Sequence, residues 1–168
     1  MSHIVTCSAV ELRDLEAIKR ACQRLGWVFH FGQETFRWYG VFLGDTEPSK
    51  DLFTEEEWSA WQAMTAEQRR DWMTTHFGKC QHAISIPNCA YEVGLVYKQG
   101  RWLPLWDSWQ SGGLDKVLTP ESGLGGLAQA YAVEKIKLDA ESRGWSWSEE
   151  VLDTGKVCVR VNTGGGGW

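Results

Sequence analysis

Hydrophobic and polar positions change their period several times along this chain, and each change predicts an element. Ile4 to Cys7 reads as a short first strand. Leu12, Leu15, Ile18, Cys22 and Leu25 recur at helical spacing, and Gly26 behind them suits a C′ position. Trp27, Phe29 and Phe31 then alternate with Val28 and His30, the period of a half-buried strand. Arg37 to Leu43 predicts a further extended piece.

Residues 44–80 break this β-α-β opening. Thr54 with Glu57 fits a capping box ahead of Trp58 and Trp61, and Thr65 with Gln68 fits another ahead of Trp72 and Met73. They predict a helical hairpin inserted between strands and removable without loss of the sheet. Its tryptophans dock onto the main body, or else form a lid or a partner surface.

Alternation returns at His82, Ile84 and Ile86, and again at Tyr91, Val93, Leu95 and Tyr97. Gln99-Gly100 turns the chain, and Arg101 to Trp106 comes back as the partner strand, with Pro104 pointing to an edge or a bulge. Leu124, Leu127, Tyr131 and Leu138 mark a second long helix. Val133, Ile136 and Ala140 form a separate strip on it that asks for cover, from the insertion or from a second copy in a homodimer. Gly144 ends that helix, and a last hairpin runs from Trp145 to Val161 around Thr154-Gly155. The tail TGGGGW is too glycine-rich to hold structure by itself. The predicted fold class is α+β: one mainly antiparallel sheet with two long helices on one face, ferredoxin-like or a related split arrangement, plus the helical hairpin. Residues 1–162 make one domain, with the insertion at 44–80 and a tail at 163–168.

Charge and composition narrow the function classes. A net charge of −5 and a pI near 5.4 disfavour a duplex nucleic-acid binder, which needs a basic face. No apolar run approaches the roughly 18 residues of a membrane span, and no secretion signal is visible, so a cytoplasmic protein is expected. Cys7, Cys22, Cys80, Cys89 and Cys158 are odd in number and scattered, which predicts free thiols. The 11 tryptophans are too many for one small core, so some should remain available for stacking.

The stretch YEVGLVYKQGRWLPLWDSWQSGGL (Tyr91–Leu114) concentrates candidate chemistry. Trp106 and Trp109 offer flat faces to a planar group, with Asp107 between them. Lys98 and Arg101 supply positive charge, and Gly125-Gly126 opens the second helix, where free N–H groups attract an anion. Together they are parts of a nucleotide-like pocket. The competing reading makes Trp106 core, Asp107 a turn cap and the glycines mere connections. His76, Cys80, His82 and Cys89 have poor zinc spacing, so no metal is expected. His3 and Cys7 share a strand face but stand roughly 13 Å apart, too far for direct proton transfer. His30 sits alone between aromatics, so no catalytic residue and no cofactor is assigned.

MSH at the start, RWYG after the second strand, YEVGLV with LPLWDSW in the hairpin, and LAQAYAVEKIKLDAESRGW leading to EEVLDTGKVCVRV follow a characteristic order. That order resembles the plastid and cyanobacterial family called hypothetical chloroplast reading frame thirty-five, which also has members in tailed phages. The resemblance spans residues 1–43 and 82–162, and its second part is the more specific. The insertion and the GGGGW tail depart from the compact plastid pattern and look more like the phage members. This family brings no activity that transfers to the chain.

The leading functional expectation is a non-enzymatic small-ligand-binding domain for a planar anionic, nucleotide-like ligand. If phage-encoded, it would sequester a nucleotide-derived signal in the host cytoplasm. A protein–protein adaptor using the insertion and the outer helix face is the alternative, and an enzyme with an unrecognised site the third.

Overall fold

Strand β1 (Ile4–Thr6) lies at one edge of a five-stranded sheet and β2 (Val28–His30) at the other. The computed structural model describes residues 4–6, 11–42, 47–119, 122 and 124–164. Between the edges run β3 (His82–Ser85), β4 (Glu92–Lys98) and β5 (Arg101–Asp107), in the order β1-β5-β4-β3-β2, with every neighbouring pair antiparallel. This is the expected α+β class. β1 and β2, joined through helix α1 (Leu15–Leu25), come out parallel because four antiparallel steps separate them. The result is a wide split β-α-β arrangement, with three strands between its two halves.

Local chemistry defines α1. The Asp14 carboxylate accepts the Ala17 N–H at 3.1 Å, and Gly26, with φ at 73°, takes the left-handed turn that closes the helix. Helix α4 (Leu127–Ser142) packs against α1, and its Tyr131 hydroxyl accepts the Arg13 and Asp14 N–H groups at 2.9 and 3.1 Å. Both helices cover one face of the sheet, where Ile18, Cys22, Leu127 and Tyr131 meet Ile84, Val93, Leu95 and Trp106.

The opposite face is covered by the insertion, helices α2 (Glu55–Ala63) and α3 (Ala66–His76). Both capping boxes form as the sequence predicts: Thr54 with Glu57 and Thr65 with Gln68 each satisfy two helix-start donors reciprocally. Phe53, Trp61, Met73 and Phe77 then build a second core with Ala83 and Leu105 of the sheet. The insertion's apolar side chains close a sheet face that would otherwise meet water, which argues against an insertion removable without loss of the sheet.

The piece around Arg37 is anchored without joining the sheet. Its Arg37 carbonyl accepts the Glu92 N–H, the Tyr39 N–H reaches Asp107, and the Phe42 N–H reaches the Thr74 hydroxyl. Leu43, at the end of that piece, lies outside the described residues. The Phe36 ring rests on Gly94, where a Cβ would come within 2.3 Å of it, so only glycine allows this close approach. Pro104 falls between β4 and the short β1. The Trp102 N–H points away from β4 to the Leu12 carbonyl, so the donor missing at Pro104 lies on that same side, one residue short of the last β1 pair at Leu105.

The final hairpin, β6 (Ser146–Val151) and β7 (Val157–Asn162), forms its own two-stranded sheet on α4. Val133 and Ala140 are buried within the chain, whereas Ile136 stays 44 % exposed. Charge holds the hairpin in place. Glu149 pairs with Arg24 and Lys137, and both cations also reach Glu134. The Lys137 ammonium lies 4.4 Å from the centre of the Trp147 ring. Arg24 first, then Lys137, bring the Glu149 carboxyl down to about 2 against the opposing effect of burial. A depressed carboxyl contributes stability that is complete above its unfolded value and is lost as pH falls through the folded one. The thermal midpoint of the wild type should therefore fall more steeply than that of Glu149→Gln between pH 4.5 and about 2. Parallel curves would remove the charge latch.

Candidate functional site

The structure distributes the sequence-predicted ligand residues over three places. Trp106 is 2 % exposed, in the core beneath α1 and α4. Asp107 is fully buried beside it, one carboxylate oxygen accepting the Trp109 N–H at 3.0 Å and the other the Tyr39 N–H at 3.2 Å. Trp109 is half-buried at the start of a short 3-10 turn (Gln110–Gly112). Lys98 and Arg101 form a cross-strand pair on the opposite face, where Lys98 meets Glu57 at 3.4 Å and Arg101 meets Asp51 at 3.7 Å. Gly125 and Gly126 make a tight turn against Trp27 and Leu25. Their N–H groups donate to the Ser122 hydroxyl at 2.8 Å and the Ser122 carbonyl at 2.9 Å, so neither points at an anion. Of the neighbouring loop, Pro120, Glu121 and Gly123 lie outside the described residues.

Of these residues, Lys98 borders a cavity of about 210 Å³ between the sheet and the insertion. Val96 and Leu105 form its floor, and Phe53, Trp72, Met73 and Phe77 its walls. The Phe53 and Trp72 rings stack at 5.3 Å, and the His76 imidazole stacks on Trp72 at 4.2 Å and 11°. Polar groups are confined to Glu57, His76, Lys79 and Lys98. The Glu57 carboxyl is held below its usual range by the Thr54 N–H, against a smaller cost of burial, with Lys98 adding to the effect. Glu57 and Lys98 are thus a charged pair, while Lys79 makes no ion pair among the described residues. Two lysines and one glutamate border the cavity, so its lining is net positive on an acidic protein.

No family model, curated protein or solved structure matches this chain. Its function must be read from geometry.

A second polar cluster escaped the sequence reading. His30 is not alone: its Nε2 lies 2.7 Å from the Ser85 hydroxyl, which donates to Glu92 at 3.1 Å. Glu92 also accepts the Gln33 amide, the Arg37 N–H and the Arg37 guanidinium. Burial pushes this carboxyl up, but those donors outweigh it and hold it below its usual value. The cluster fastens the 33–37 segment to β3 and β4. Only the direct Ser85–Glu92 cross-strand register could have signalled it in advance.

The zinc candidates stay apart in role. Cys80 donates to the Gln33 carbonyl, and His82 Nδ1 accepts the Gly32 N–H. His3 and Cys7 lie outside the described residues. Cys22, Cys80, Cys89 and Cys158 are free thiols, and burial pushes Cys22 up to about 12 and Cys80 to about 11. Among the described residues, no helix is long and apolar enough to cross a membrane.

Proposed function

We propose that this protein is a non-enzymatic small-ligand-binding domain whose ligand occupies the cavity between the sheet and α2–α3. One observation carries the reading: a partly open cavity of about 210 Å³ lies between the sheet and the aromatic side chains of the insertion. Protein interiors pack to crystal-like density, and a void of about 150 Å³ already accepts a benzene ring. Phe53, Trp72, Met73 and Phe77 line it with apolar surface that a planar group would bury. A whole nucleotide is drug-sized and asks for a pocket of about 300 Å³ or more. A nucleotide-derived signal would therefore place only its base in this space. The resemblance to phage-type members of the chloroplast-frame family supports a trap acting in a host cytoplasm as the biological form of this reading.

Titration calorimetry with 2-naphthol, a neutral two-ring probe, tests the location. Wild type should show saturable one-site binding. Val96→Phe, which fills the cavity from its floor, should lose about tenfold or more in affinity while keeping its thermal midpoint. Equal binding by wild type and Val96→Phe would place the ligand elsewhere.

A further inference from the structure

Resting on that reading, we infer that the cavity selects a ring-sized aromatic acid, one planar apolar body carrying a single anionic group held by Lys79 and Lys98. Three observations converge. The walls and floor are predominantly apolar and aromatic, so the buried part of the ligand must itself be largely apolar. The volume of about 210 Å³ exceeds the roughly 150 Å³ of a one-ring void but falls short of drug-sized pockets, which limits the body to one or two fused rings.

Charge supplies the third. In a chain of net charge −5, this site carries two ammonium groups against one carboxylate. Lys98 is already paired with Glu57 at 3.4 Å, whereas Lys79 has no ion-pair partner among the described residues. An anionic group on the ligand completes Lys79 and competes with Glu57 for Lys98. Lys98 is half-buried beside the apolar space, where a charge-assisted contact is stronger than at an open surface, while Lys79 stays exposed where it borders the cavity. Glu57 in turn disfavours a second negative charge on the same ligand, so a monoanion fits better than a dianion.

Calorimetric comparison of 2-naphthoate with the neutral 2-naphthamide separates the class from the location. Wild type should bind the acid about tenfold more tightly than the amide. Lys79→Met/Lys98→Met should bring the two within about twofold by weakening the acid alone, and Glu57→Gln should strengthen the acid by removing its competitor. Equal binding of acid and amide by wild type overturns the acid class and leaves the cavity as the site. A preference that survives in the double lysine variant overturns the assignment of those lysines. Failure of both probes to bind overturns the proposed function along with this inference.

Discussion

Trp61→Ala should cost the fold about 3–5 kcal/mol, although Trp61 belongs to the segment that interrupts the sheet in sequence. Its side chain is 3 % exposed and meets the Phe53 and Trp72 rings at 5.6 Å each. The Arg69 guanidinium covers it at 5.5 Å, and Arg69 Nε donates to the Trp61 carbonyl at 3.0 Å. Truncation removes the anchor between α2 and α3 and opens a void that these rings cannot close by small shifts. Against a total stability of about 5–15 kcal/mol for an ordinary domain, such a loss is severe. Deletion of residues 47–79 should go further and abolish cooperative unfolding, because Ala83, Val96 and Leu105 lose their cover together. Urea denaturation followed by circular dichroism measures both. A deletion variant that unfolds cooperatively would return the insertion to the status of an ornament.

Trp106→Ala should cost about as much, 3–5 kcal/mol, for a reason on the opposite face. Trp106 packs with Ile84, Leu95 and the helices, 2 % exposed, next to the fully buried Asp107. Its ring is a structural wedge between layers rather than a free stacking surface. The sheet separates it from the cavity, so the folded fraction of Trp106→Ala should bind 2-naphthol with unchanged affinity. Calorimetry at a temperature well below the variant's midpoint reads this directly. A stable Trp106→Ala protein with lost binding would bring the ligand back to the end of β5.

Local signals carried well from sequence to structure. Both capping boxes, the turn at Gln99-Gly100, α1 from Leu15 to Gly26 and α4 from Leu127 appear where spacing puts them, whereas Leu12 bridges Trp102 and Leu124 takes a left-handed turn ahead of its helix. Each is decided within one or two turns of chain. The candidate site was less legible, partly through a parity argument available from the start. Arg101 and Trp106 are five residues apart on one strand, so their side chains leave opposite faces. Only Lys98 of the expected set borders the cavity. The remaining walls, Phe53, Trp72, Met73 and Phe77, read in sequence as the apolar side of an inserted hairpin. Periodicity shows that such a side exists but not what it covers. The open charge on Lys79 and the clasp around Glu92 depend on segments far apart in the chain, and composition is blind to both.

The methionine methyl groups give the most direct test of the ligand cavity. The chain has three methionines, Met1, Met64 and Met73, and of these Met73 lines the cavity. With ¹³C-methyl labelling, titration of 2-naphthoate should move the Met73 signal in a saturable manner. Its direction should be that of a methyl facing an aromatic ring, and Val96→Phe should suppress the shift. A Met73 signal that stays fixed while calorimetry reports binding would contradict a ligand between the sheet and its helical cover.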